Sequence, residues 1–126
     1  MSEYGKERLY NDLISDGYSP EYLSDNKGMD YVVITEYVVQ FGIFKGQEIA
    51  LAIPVPKDYP RTAGASIHVK SNPHLLDIKD TIKGKRNIIN SNIGNEWRYW
   101  SFRFNLSPEN PTNDLMSQIN GIFKNI

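Results

Sequence analysis

Histidine and cysteine, which often act as catalytic base and nucleophile, are scarce in this chain of 126 residues. It contains two histidines, His68 and His74, and no cysteine. The absence of cysteine excludes disulfides, thiolate metal ligands and thiol nucleophiles together. Two histidines are too few for a histidine-rich metal site. We therefore expect no cofactor and no bound metal.

The second group of candidate residues lies in the aromatic segment EWRYWSFRF, residues 96–104. Trp, Tyr and Arg are the residue types most enriched at the centres of protein interfaces, so Trp97, Trp100 and Arg103 are candidate binding residues. Burial in a core is the alternative for both tryptophans. The spacing fits a strand or a helix, and the aromatic content favours a strand.

Composition limits the class of protein. The length predicts one domain, 1–126, and the net charge of −1 gives no reason to expect a nucleic-acid partner. The basic cluster at 83–86 is typical of a solvated turn. The charged N-terminal segment is unlike a signal peptide, and no apolar run has the length of a membrane span. We expect a soluble, cytoplasmic protein.

Hydrophobic periodicity predicts an α+β fold. Apolar residues at helical spacing predict an N-terminal helix over 3–15 and a C-terminal helix that begins near Pro111. Between them we predict an antiparallel meander of three to four strands. A short helical turn at 19–24 precedes the first strand, and a polar, irregular stretch at 71–95 follows the third. The C-terminal helix is expected to pack on one face of this sheet. The predicted strands cover residues 31–39, 47–55, 65–70 and, less clearly, 96–104.

The second predicted strand ends in the stiff segment PVPKDYP, residues 54–60. Proline has no amide proton for a strand ladder, so Pro54 and Pro56 end the pairing and fix the exit of the chain. Tyr59 offers a large ring with a hydroxyl that can find a partner. Alternation places His68 on the opposite face from its two neighbours, towards solvent or the sheet surface.

These features resemble the ubiquitin-conjugating (UBC) fold, in which a strand, a P-x-x-Y-P turn, another strand and a His-Pro-Asn motif follow one another. Pro56, Asp58, Tyr59 and Pro60 match the turn, and NPHLL at 72–76 matches the last motif only at His74. GIFKGQEIALAI resembles the G-x-F-x-G-x-x-F-x-L-x-I pattern of the same family. WRYWS is similar to the aromatic segment of the bacterial branch called prokaryotic ubiquitin-conjugating family E. Phe102 and Arg103 stand where that branch has Arg and His.

The resemblance implies a scaffold that normally carries a cysteine thioester, which this chain cannot form. Counting from His74 by the family's spacing places the missing nucleophile near Gly84. Counting back from the last helix places it near Arg98, beside Ser101, and we favour this second position because loops absorb insertions. Ser101 is then a candidate oxyester acceptor or a small residue bonded to the backbone. His74 is a candidate catalytic residue or fixes its loop by bonding a carbonyl.

Three functions are compatible with these residues. The first is a non-catalytic UBC-like protein that binds a ubiquitin-like protein or an activating-enzyme homologue, with Tyr59, Trp97, Trp100 and Arg103 as binding residues. The second is an atypical transferase that uses Ser101. The third is a small α+β binding or immunity-type domain that shares only the shape, because a fold does not fix a function.

Overall fold

The computed structural model describes residues 4–77 and 88–126. It confirms the α+β class, with two helices and one antiparallel sheet, and no described helix is long and apolar enough to cross a membrane. The elements are α1 (Gly5–Ser15), β1 (Pro20–Ser24), β2 (Asp30–Val38), β3 (Glu48–Pro54), β4 (Ser66–Lys70), β5 (Ile88–Ser91), β6 (Gly94–Ser101) and α2 (Pro111–Lys124).

The described sheet has six strands in the order β1-β2-β3-β4-β6-β5, where the sequence predicted three to four. The four predicted strands correspond to β2, β3, β4 and β6, which are neighbours in this order, and every neighbouring pair of described strands is antiparallel. The aromatic segment is a strand, β6, and it pairs with β4 from Ser66↔Ser101 to Lys70↔Trp97. Strand β6 therefore lies inside the sheet, which explains its aromatic content.

The prediction of a helical turn at 19–24 is wrong. These residues form the edge strand β1, paired with β2 from Pro20↔Ile34 to Ser24↔Asp30. Proline is tolerated as the first residue of an edge strand, as it is in a first helical turn, so Pro20 did not discriminate between the two. Pairing with the long, apolar β2 decides the outcome.

The stretch 71–95, predicted to be irregular, contains β5 and the start of β6. Strand β5 is only four residues long and pairs with β6 at Ile88↔Trp100 and Ile89↔Tyr99. So short a strand has no periodicity of its own, and its pairing with β6 is what defines it. The basic cluster at 83–86, with Gly84, lies outside the described residues, as does residue 3 of the predicted N-terminal helix.

Both helices pack on the same face of the sheet. Leu9 and Leu13 of α1 and Ile119 and Phe123 of α2 belong to one buried cluster with alternate residues of five strands. The two faces follow from the period of two along each strand, since only one residue in two reaches this cluster. The strand residues of the cluster are Val32, Ile34, Tyr37, Ile49, Leu51, Ile53, Ile67, Val69, Ile88 and Trp100.

The PVPKDYP turn joins both helices to the sheet. The Tyr59 carbonyl accepts a hydrogen bond from the amide of Gly5 at 2.9 Å, and the Tyr59 hydroxyl lies 2.6 Å from Thr112 Oγ1 at the start of α2. Thr112 donates its single hydroxyl proton to Asp12 Oδ2 at 2.6 Å, so Tyr59 must be the donor to Thr112. Arg8 donates to the same carboxylate oxygen. The stiff segment thus holds the two helices together.

Candidate functional site: a groove on the helix-free face

The face of the sheet opposite the helices divides into a closed part and an open part. In the closed part, Tyr31, Val33 and Ala52 form a second, smaller buried cluster. Half-buried side chains from the β1–β2 and β5–β6 hairpins cover this cluster, so its apolar surface is removed from water without a helix. The covering residues are Leu23, Met29, Ile93 and Trp97.

His68 lies at the centre of this closed part and is only 4% exposed. Its Nδ1 is 2.7 Å from Ser91 Oγ and its Nε2 is 3.1 Å from Ser66 Oγ, so both ring nitrogens have partners. The rings of Tyr31 and Tyr99 meet the imidazole edge to face. Burial lowers the pKa of His68 to about 4, which the charge of nearby Asp25 only partly opposes. The imidazole is therefore neutral at physiological pH.

The open part is a groove of about 1010 Å³ across the ends of four strands. Its floor is made of outward-facing residues of β2 and β3, and its walls are the start of β6 and the loop that follows β4. A volume of this size is in the range of pockets that hold a ligand or a segment of a partner. The lining residues are Val33, Thr35, Glu48, Ile49, Ala50, Lys70, Ser71, Asn72, Pro73, His74, Asp77, Asn95, Glu96 and Trp97.

The loop that forms one wall, residues 71–77, is held in place by its own contacts. Ser71 Oγ accepts from the amide of Leu75 at 3.1 Å and donates to the Pro73 carbonyl at 3.0 Å. At its end, Asp77 accepts from Arg98 Nε of β6 at 2.6 Å. Leu75 and the next leucine also pack against the main core. These contacts fix the position of the wall that presents His74 to the groove.

The opposite wall combines an aromatic ring with charge. Lys70 Nζ forms an ion pair with Glu96 at 3.1 Å and lies 5.9 Å from the centre of the Trp97 ring. Both charged side chains are substantially exposed, so the pair itself adds little stability. Glu48 adds a carboxylate to the floor. The groove therefore offers apolar, aromatic and charged contacts within one concave surface.

The structure does not bring Ser101 and His74 together. Ser101 pairs with Ser66 at the first residue of β4, whereas His74 follows the last residue, Lys70. Four residues of strand separate these ends by about 13 Å at 3.3 Å per residue. A nucleophile and its base must be within hydrogen-bond reach, about 3 Å.

The four candidate binding residues divide by burial. Tyr59 and Trp100 are 1% and 0% exposed and belong to the main core, so neither presents its side chain to a partner. Trp97 is half-buried in the groove wall, and Arg103 is exposed just after β6. The structure places Trp97 and His74 in one groove and Arg103 outside its lining.

Sequence reasoning missed Lys70 and Glu48 of this groove. Both lie near strand ends and pair with other strands, Lys70 with Trp97 and Glu48 with Val38. The signal that brings Lys70 to the groove is its register with β6, which joins residues far apart in the chain. Local composition does not contain that register.

Among the described residues, no group of three or more His, Asp or Glu side chains could hold a metal ion. Comparison of the chain with protein-family models, with curated proteins and with solved structures found no match.

Proposed function

We propose that this chain is a non-catalytic protein-binding domain of UBC-like fold, whose partner occupies the groove on the helix-free face. The observation that carries the proposal is the groove itself, a preformed surface of about 1010 Å³ with the half-buried Trp97 in one wall. Partly exposed tryptophans set in a concave, polar-rimmed surface are the residues that most often dominate binding energy.

The chemistry of the chain supports binding rather than catalysis. No cysteine is available for a thioester. The two ring nitrogens of His68 bond to serines in a closed cluster, and His74 lies at the other end of β4 from Ser101. Serine is a weak nucleophile unless a base is within reach.

The partner class comes from the resemblance of the PVPKDYP turn and its flanking segments to UBC proteins. We infer a ubiquitin-like protein or an activating-enzyme homologue of a bacterial conjugation system, acting in the cytoplasm. The ordered loop at 71–77 favours such an association, because little conformational entropy is lost when its contacts form.

The test is an NMR titration of the labelled chain with the ubiquitin-like protein, and separately the activating-enzyme homologue, encoded by neighbouring genes. We expect shift changes at Lys70, His74 and Trp97, and an affinity about tenfold weaker for Trp97→Ala, equivalent to about 1.4 kcal/mol. Ile14→Ser, an exposed site on α1, is the matched control and should bind normally. No shift changes with either protein, or changes confined to another surface, would contradict the proposal.

A reaction with activating enzyme, ubiquitin-like protein and ATP tests the transferase alternative. The proposal expects no covalent product. A hydroxylamine-sensitive adduct that Ser101→Ala abolishes would overturn the non-catalytic assignment.

A further inference from the structure

A second surface lies along the outer side of α2, and the β2–β3 connection beside it carries exposed apolar residues. In the connection between β2 and β3, Phe41 is 46% exposed and Ile43 is 73% exposed. Clustered exposed apolar residues on a small protein are typical of contact surfaces.

Backbone hydrogen bonds close the base of the β2–β3 connection. The amide of Gly46 donates to the Val39 carbonyl at 2.8 Å, and the amide of Val39 donates to the Gln47 carbonyl at 2.9 Å. Gly42 has a φ of +83°, and a Cβ there would lie 1.9 Å from the carbonyl oxygen of Phe123. The chain therefore places this apolar tip firmly against the end of α2, a position that only glycine permits.

Beside Phe41, a groove of about 720 Å³ runs along the outer side of α2. Lys124 closes one end, with its Nζ 5.9 Å from the centre of the Phe41 ring. Asp16 closes the other end. It lies beside Asn113 at the start of α2, where both residues also line a smaller cavity. The lining residues are Asp16, Tyr18, Phe41, Asn113, Met116, Ser117, Asn120, Gly121 and Lys124.

The side-chain position of Gly121, on the floor of this α2 groove, opens into empty space. Gly121 lies within α2, where glycine is less stable than alanine, and nothing lies within 4 Å of the Cβ that alanine would add. A glycine of this kind is useful where another backbone approaches closely.

We propose that a second copy of this chain occupies the α2 groove, so that two α2 helices pack antiparallel about a two-fold axis. The argument is charge complementarity. Lys124 and Asp16 are both exposed. Asp16 lines the groove together with Asn113, which precedes Lys124 by about 16 Å along α2 at 1.5 Å per residue, so the two charges lie at opposite ends of the groove. In an antiparallel pair, Lys124 meets Asp16 of the partner subunit, and the same contact forms twice. Phe41 lies at the Lys124 end of its own groove, so it then packs onto the opposite end of the partner subunit's groove.

Sedimentation equilibrium of the full chain, from low micromolar to several hundred micromolar at low salt, tests this proposal. We expect the mass to rise towards twice the 14.4 kDa of one chain and the association to weaken with added salt. Gly121→Leu should abolish dimerisation while circular dichroism stays unchanged, because the side chain fills the groove and not the core. A chain that stays monomeric over this range would overturn the proposal.

Charge reversal gives the sharper test. Asp16→Lys and Lys124→Asp should each weaken self-association about tenfold or more, because each places like charges opposite one another twice. The double variant should recover it, and a mixture of the two single variants should form a heterodimer. Lys27→Glu, in the exposed β1–β2 turn, is the matched control. A dimer that ignores both single reversals, or a mixture that stays monomeric, would refute this geometry.

Discussion

The two faces of the sheet are made by the same strands but bury different chemistry. On the helix-covered face, twenty buried apolar residues form one continuous cluster with both helices. On the helix-free face, three buried apolar residues share the surface with a buried histidine and its serine partners, and beside them lies the groove lined by apolar, aromatic and charged residues. The first face holds most of the buried apolar residues, and the second holds the groove that we propose to bind a partner.

The difference shows how a single sheet separates the main core from the groove that we propose to bind a partner. Alternation along each strand gives each face its own set of residues, so polar groups can accumulate on one face without entering the main core. Burying these polar groups costs little free energy where they are hydrogen-bonded, as His68 is with Ser66 and Ser91. Substitutions matched across the two faces can test this separation.

The two tryptophans of β6 give the largest expected contrast. Trp100 is fully buried on the helix-covered face, and Trp97 is half-buried on the other. Trp100→Ala should lower the free energy of unfolding by about 3–5 kcal/mol through lost burial and cavity formation, whereas Trp97→Ala should cost only about 1–2 kcal/mol. Urea denaturation monitored by far-ultraviolet circular dichroism measures both. Equal losses at the two positions would show that the helix-free face contributes to the core as much as the other.

The second prediction concerns pH and the helix-free face. The pKa of His68 is about 4 in the folded chain and about 6.5 in the unfolded chain, so between these values the unfolded state binds more protons. Stability therefore falls as the pH falls through this window, by about 1.6 kcal/mol between pH 6.5 and pH 5, because the unfolded histidine is half protonated at pH 6.5 and almost fully protonated at pH 5. Denaturant melts across this range, with NMR titration of the His68 ring protons, measure the effect.

His74→Gln is the control for that prediction, because His74 is the only other histidine in the chain. This variant should keep the pH dependence, and His68→Gln should lose most of it. A His68 ring that titrates near its ordinary value would mean that the closed part of the helix-free face admits water.

The third prediction concerns the polar contacts at the edge of the helix-covered face. Thr112→Val removes the acceptor for the Tyr59 hydroxyl and leaves a buried donor unpaired. It should cost about 1–3 kcal/mol, and Tyr59→Phe should cost less because Thr112 keeps its bond to Asp12. The double variant should lose less free energy of unfolding than the two single variants lose together. Thermal and urea melts measure these losses. Strict additivity would show that the two side chains are not coupled.

Patterns local in the chain predicted most of the fold. The helices α1 and α2 and the strands β2, β3 and β4 follow from periodicity that each segment carries by itself. Strands β1 and β5 could not be predicted in this way. Each is four or five residues long and exists because a neighbouring strand offers a ladder of amides and carbonyls.

The candidate site was predicted only in part for the same reason. His74 and Trp97 were recognisable by residue type, and both line the groove. Strand register brings Lys70 and Glu48 into the groove. Trp100 is buried in the main core, because it faces the helices. The residue types suggested binding, but the alternation of side chains along each strand and the register between strands decide which side chains share a face.

The smallest expected effect separates stability from association on the outer side of α2. Gly121→Ala should raise the free energy of unfolding of the monomer by about 1 kcal/mol, because alanine is the better helix former and its methyl group meets nothing within 4 Å. Ser117→Ala, one turn earlier on the same exposed side, is the control and should gain less. Thermal melts at low concentration measure the monomer alone. A gain in monomer stability together with weaker self-association would show that this glycine serves the contact between chains, whereas a loss of monomer stability would show that it serves the fold.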